Sequence, residues 1–364
     1  MPFFKTSGVP LRTQICDFPG QSGSLPWRGL PLICQYAGSL PFVPRRFGSP
    51  ALGRPACPLC GKLSISHRLS PHPLIPLSGN LFTTLDTVTE PVQSATSRTF
   101  KLTLAYDGTG FSGWQIQPGQ LTIQGQLQAA LGRITGEAPL PQGSGRTDAG
   151  VHALAQVASF TLQAPIPPEN LLRALNRTLP AAIRILDART VRSTFHARHS
   201  AVAKTYEYRI SRERICPPFL ARYVHACIWP LDPEVLDRAA ADLIGEHDFF
   251  SFAATDPDHS SEVLLQEPRN SLRTIYSSAW EHQRTEAGQL LVYRVRGNGF
   301  LHHMVRNLAG TMLEIGRGQF PPDSIPRILA ARNRSAAGPT APARGLFLHS
   351  VEYGPQADDP PLGS

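Results

Sequence analysis

At 364 residues, with 41% hydrophobic residues, the chain is long enough for two domains or for one large domain with appendages. No apolar run approaches the roughly 18 residues of a spanning helix, so the composition argues against a membrane protein. Of the net charge of +8, residues 1–98 carry +6 (nine Lys/Arg against three Asp/Glu), so bulk charge does not mark the remainder as a nucleic-acid binder.

Those first 98 residues hold 14 of the 35 prolines and show no sustained helical or strand period. Such composition buries too little apolar surface to offset its ordering entropy, and a disordered, Pro-rich basic extension is expected over 1–98. It is Ser-rich and acid-poor, as organelle transit peptides are, although its prolines oppose the amphipathic helix such peptides form. Four of the six cysteines, Cys16, Cys34, Cys57 and Cys60, lie here. They form no disulfide framework, which favours a reducing compartment. Cys57-Pro58-Leu59-Cys60 is half of a zinc knuckle with no second pair at matching spacing.

Order is expected from Thr99. Phe100, Leu102, Leu104 and Tyr106 alternate with polar or small residues, which predicts a strand ending at the Asp107-Gly108 turn. Gly110-Phe111-Ser112-Gly113-Trp114-Gln115 reads as a glycine-rich tip with Trp114 packed beneath. Thr122 caps a helix whose Ile123, Leu127, Leu131 and Ile134 share a face. A glycine-rich loop, Gly143 to Gly150, precedes an alternating run from Leu154 to Leu162. Pro167 and Pro168 open a second helix, and a short strand, Ile183 to Leu186, closes this half.

The second half begins with Phe195-His196-Ala197-Arg198 and a strand, 204–210, that puts Tyr206, Tyr208 and Ile210 on one face. A helix over Pro233 to Ile244, a polar loop from Ala254 to Asn270, and strands over 272–281 and 289–297 follow. The most apolar helix runs from about Leu301 to Ile315, and a helix at 324–331 and a strand at 345–353 end the fold. The pattern predicts an α+β class with an antiparallel or mixed sheet, and the similar element order of the two halves hints at duplication. The expected units are 99–200, 201–354 and a disordered tail over 355–364.

Three residues stand out chemically. Asp148 sits between Arg146 and Gly150 in a turn-forming segment, and an aspartate beside a cation favours its anionic form, which suits a nucleophile or charge stabiliser better than a general acid. Tyr206 reads either as a core tyrosine or as a flat ring on which a base stacks. Arg306, on the apolar helix, can carry its head to the surface or point it into a cleft, against Asp148 or a phosphate. His302 and His303 adjoin it, but no carboxylate or Cys lies at ligand spacing in the sequence, and no metal is expected.

Gly145-Arg146-Thr147-Asp148-Ala149-Gly150-Val151-His152-Ala153 resembles the catalytic motif of the tRNA pseudouridine synthase A family. So do, in the family's order, Tyr106-Asp107-Gly108-Thr109, Gly113-Trp114-Gln115, Phe195-His196-Ala197-Arg198, Lys204-Thr205-Tyr206, His247-Asp248-Phe249, the segment Gly299 to Arg306, and Ala341 to Leu346. The resemblance covers about residues 99–353. It implies a continuous, mainly antiparallel sheet built from two similar mixed subdomains, flanked by helices, with the active-site cleft between them. By resemblance Asp148 is the catalytic aspartate, Arg146 its neighbouring arginine, Tyr206 the active-site tyrosine and Arg306 a cleft arginine. The implied reaction isomerises uridine to pseudouridine at positions 38–40 of the tRNA anticodon arm, without metal or redox cofactor. The implied partners are tRNA and a second copy of the chain in a homodimer. The expected location is the cytoplasm, an organelle address in the extension being left open. The alternative is a non-catalytic RNA-binding protein of the same fold, whose mark would be loss of Asp148. A glycosidase would need two carboxylates about the scissile bond, and the motif offers one.

Overall fold

A computed structural model describes residues 97–254, 270–286 and 288–355. The segment before residue 97, with the Cys57–Cys60 pair, lies outside the described residues, as do the tail from 356 and most of the polar loop before Asn270. Cys216 and Cys227, the two described cysteines, are free thiols.

The strands are β1 (Arg98–Tyr106), β2 (Gln142–Gly143), β3 (His152–Leu162), β4 (Ile183–Val191), β5 (Ala201–Ser211), β6 (His225–Ala226), β7 (Gly245–Asp248), β8 (Leu272–Thr285), β9 (Gly288–Gly297) and β10 (Leu346–Tyr353). They form one sheet in the order β4-β1-β3-β10-β5-β9-β8-β7, with β2 on β3 and β6 on β5. Pairing is antiparallel except between β10 and β3 and between β5 and β6. The last strand is therefore the seam between the halves. Leu348 of β10 faces Ala153 on one side and Tyr206 on the other.

Five helices accompany the sheet: α1 (Ile123–Thr135), α2 (Pro168–Thr178), α3 (Pro233–Ala241), α4 (Met304–Gly316) and α5 (Ser324–Ala331). Thr122 caps α1, its hydroxyl accepting the Gly125 N–H, and prolines open α2 and α3, where a missing N–H costs nothing. Buried residues of the helices merge with alternate strand residues into one cluster spanning both halves, from Phe100, Leu102 and Leu104 to Tyr206, Tyr208, Tyr293 and Val295. Smaller clusters, around Val157 and around Val292, use strand residues of the opposite parity. The α+β class and the continuous, mainly antiparallel sheet stand as expected.

Several boundaries differ from the sequence pattern, among them those of β5, α3 and β8, and two have a clear cause. β4 runs to Val191, five residues beyond the expected end, because Asp187 to Thr190 pair with β1 despite their polarity. α4 starts at Met304 rather than Leu301, because His303 caps it in the left-handed region, at φ 58°. No described helix is long and apolar enough to cross a membrane.

Candidate active site

The loop between β2 and β3 is fastened from every side. Trp114, 2% exposed, lies directly under Gly143, where a Cβ would come within 2.6 Å of its ring. The Trp114 backbone N–H donates to the Thr147 carbonyl at 3.0 Å. Gly113 (φ 90°) passes so close that a Cβ there would meet the same carbonyl at 2.6 Å, and Gly150 turns the chain at φ 76°. Such approaches and angles require glycine. Inside the loop the Gln156 amide donates to the Gly145 carbonyl (2.9 Å) and accepts from the Ser144 hydroxyl (2.6 Å), while the Tyr106 and Thr147 hydroxyls bond at 2.9 Å. Burial pushes the Tyr106 phenol up to about 12. The motif's His152 is an anchor: 1% exposed, its Nδ1 accepts the Gly108 N–H, and its Nε2 lies 3.1 Å from the Arg222 carbonyl.

This framework presents the Asp148 carboxylate, 20% exposed, to groups from the other half of the chain. Arg306 on α4 places Nη1 2.9 Å from Asp148 Oδ2 and anchors its own Nε on the Ala341 carbonyl at 2.8 Å. His303 Nε2 lies 3.3 Å from Oδ2 and His302 Nε2 3.5 Å from Oδ1, the two rings 4.0 Å apart. Burial lowers the His303 pKa, Asp148 opposing and His302, Arg306 and Arg334 reinforcing, so this imidazole is neutral near pH 7. Tyr206 sits on the same side of the seam, its ring edge-on to Phe300 at 5.0 Å. Burial raises its pKa, with Tyr106 and the Asp148 charge adding to the effect, so it stays a phenol.

The fold thus gathers Asp148, Tyr206 and Arg306 at one place. Of the two readings of Arg306, the guanidinium turned to Asp148 is the one observed. Arg146 is exposed, and a guanidinium bonded to Asp148 comes from position 306. The sequence argument against a metal used spacing along the chain, and in space it does not apply: Asp148, His302 and His303 offer ligand atoms within 4.8 Å of one another. Arg306, bonded to the same carboxylate oxygen, is a charge that a cation there would have to displace.

Sequence reading assigned no role to Lys204. Its Nζ donates to the Ser144 carbonyl at 2.6 Å, tying β5 to the motif loop. Burial, reinforced by the charges of Arg198 and Arg273, brings its pKa down to about 8. The available signal was parity, since Lys204 shares a strand face with Tyr206 and Tyr208, where an apolar residue would be ordinary.

The family profile described as tRNA pseudouridine synthase matches residues 103–200 and 239–354. A tRNA pseudouridine synthase A from Solibacter usitatus is 51% identical over 257 residues, covering 70% of this chain and 100% of the relative. The proteins of that name from Moorella thermoacetica and Bacillus pumilus are 47% and 46% identical, each covering 70% of this chain and 98% of the relative. Matched over more than half of its length and on both sides of the Asp148–Arg306 pair, the chain belongs to the tRNA pseudouridine synthase family.

Proposed function

We propose that this enzyme converts uridine into pseudouridine in the anticodon arm of tRNA, at positions 38–40, with Asp148 as the catalytic carboxylate. The observation that carries the reading is the convergence of Asp148 and Arg306 from two elements, bonded at 2.9 Å, with Tyr206 near enough to feel the carboxylate's charge. In the reaction the N1–C1′ bond breaks, the uracil turns, and C5 bonds to C1′ while its proton leaves and N1 gains one. Atoms and electrons balance within the nucleoside, so no redox partner is needed. Asp148 either attacks C1′ or removes the C2′ proton to give a glycal. Both routes need a carboxylate beneath the sugar, and Arg306 holds it there through a bond that stiffens its geometry. The base must leave its stack to be reached, and Tyr206 offers a face for it. Arg146, exposed beside Asp148, is placed to contact the RNA.

The remaining parts of the proposal concern assembly. Residues 99–200 and 201–354 act as two subdomains that complete the cleft together, and the basic extension before them adds affinity rather than chemistry. Two copies form a dimer, so that a nearly neutral core pools basic surface from both. The cytoplasm is the working compartment. The test is incubation with tRNA carrying tritium at uracil C5. Release of tritium with formation of pseudouridine at positions 38–40 supports the reading, and binding without release refutes it.

A further inference from the structure

Lys204, bonded to the loop that carries Asp148, heads a group of three cations with Arg198 and Arg273, and among the described residues none of the three is bonded to the carboxylate. Lys204 on β5 pairs in register with Gly297 on β9, which pairs in turn with Ile275 on β8. Directly opposed residues share a sheet face, and so do residues two apart, which puts Arg273 on the same face as Lys204. Gly297 has no side chain of its own, and Ile275 and the Phe300 ring close over it, Phe300 being the ring that packs on Tyr206. Beyond it, a Cβ at Gly299 would lie 3.5 Å from Arg273 Nε, so only a glycine backbone borders that side of the Arg273 side chain. Arg198, just before β5, is close enough to weaken the charged forms of both Lys204 and Arg273.

Three cations that repel one another need a reason to stay together. Among the described residues none of them has a carboxylate partner. The Arg273 Nη1 bonds are to the backbone carbonyls of Asn270 and Leu272. Lys204 spends one N–H on Ser144 and keeps two more to give. By contrast Arg209, Arg294 and Arg296 on the neighbouring strand positions are all neutralised by Glu207 or Glu352. On this part of the sheet the arginines of the opposite face are thus matched, and the cations of the Lys204 face are not.

We propose that Arg198, Lys204 and Arg273 form a seat for a phosphodiester of the RNA strand next to the target nucleotide. This rests on the reading of tRNA as substrate. Lys204 and Tyr206 are two residues apart on one strand face, about 7 Å, so a base stacked at Tyr206 brings its own backbone to Lys204. Donors from a forked guanidinium and an ammonium suit phosphate oxygens, and the anion relieves the repulsion that the empty seat retains. Because Lys204 also holds the Ser144 carbonyl, occupation of the seat is read directly by the loop that carries Asp148.

Arg198→Ala is the cleanest variant, since it removes charge without removing a bond to the motif loop, and Arg273→Ala is its companion. The measurements are Kd for tRNA against salt, KM and kcat, and binding of tRNA with one methylphosphonate 5′ or 3′ of the target uridine. We expect Arg198→Ala and Arg273→Ala to raise KM about tenfold with kcat within threefold. Each should also flatten the slope of log Kd against log salt by about 0.7, the share of one phosphate neutralised on a single strand. One of the two methylphosphonates should weaken wild-type binding about tenfold and affect the alanine variants less than twofold. Unchanged salt slopes, or methylphosphonate effects as large in the variants as in wild type, overturn the seat. The slopes are read without turnover, so wild-type protein that binds tRNA but makes no pseudouridine breaks the functional reading alone.

Discussion

Two acidic clusters, one around Asp148 and one around Glu207 of β5, differ instructively. On one face, beside Tyr206, stands Asp148 with one arginine and two histidines. On the other, one residue along, Glu207 meets Arg209 at 2.8 Å, Arg294 at 2.7 Å and His349 at 3.4 Å. The inventories are nearly the same, yet Glu207 is 5% exposed against 20% for Asp148. Glu207 is saturated by short bonds to both oxygens, and although burial opposes ionisation, its arginines bring the pKa down on balance. Asp148 takes a bond of 2.9 Å from Arg306, and its imidazoles stand at 3.3 and 3.5 Å. A carboxylate that must meet a substrate is held at one point and left room elsewhere, whereas one that only fastens strands is used up by the protein.

The largest test of that contrast is Asp148→Asn, which keeps the shape and removes the nucleophile or base. Turnover should fall more than about a thousandfold, a loss of roughly 4 kcal/mol of transition-state stabilisation, with tRNA affinity within a few-fold and the melting temperature little changed. Substantial residual turnover would remove Asp148 from the chemistry. Next comes Tyr206. Tyr206→Ala should lower kcat/KM at least about a hundredfold and Tyr206→Phe much less, if the ring face is what counts. Equal severe losses would assign the role to the hydroxyl, and a large drop in melting temperature for both would make the residue structural.

Glu207→Gln is the mirror experiment. It should cost about 2 kcal/mol of stability, by leaving two arginines poorly matched, while kcat at saturating tRNA stays within twofold. Because the folded pKa of Glu207 is lowered, its contribution is complete above the ordinary glutamate value of 4.5 and is lost as pH falls through the folded value. Wild type and variant should therefore differ in melting temperature near pH 7 and converge in acid. A constant difference across that range would contradict the ion-pair account. The smallest effect is expected from deleting residues 1–98: kcat unchanged within twofold, and KM raised at moderate salt but not at high salt. A truncated protein dead at saturating tRNA would place the extension inside the catalytic unit.

Most of the architecture was legible because its signals are local. Alternation marked β1, β3 and β5, the Thr122 cap marked α1, prolines marked α2, and apolar spacing marked α3. What stayed hidden was short or polar. β2 and β6 have two residues each, too few to show a period, and β7 is Gly-Glu-His-Asp, which pairs with β8 without an apolar pattern. The site divides in the same way. Asp148 announces itself by its glycines, but its bond to Arg306 spans 158 positions and exists only once the fold is known. The two histidines were seen as neighbours of each other. That they face a carboxylate depends on His303 turning the chain at positive φ just before α4.

The seam strand sets a schedule for the molecule. β10 stands between β3 and β5, so the loop bearing Asp148 and the strand bearing Tyr206 acquire their fixed spacing only when Leu346–Tyr353 slides in between them. On a ribosome adding about 5–20 residues per second, roughly 10–40 s separate the synthesis of Asp148 from that of Tyr353. During that interval the nascent chain exposes two open strand edges and can modify nothing. Growing polypeptides surrounded by tRNA are thus silent toward it until the last strand has emerged.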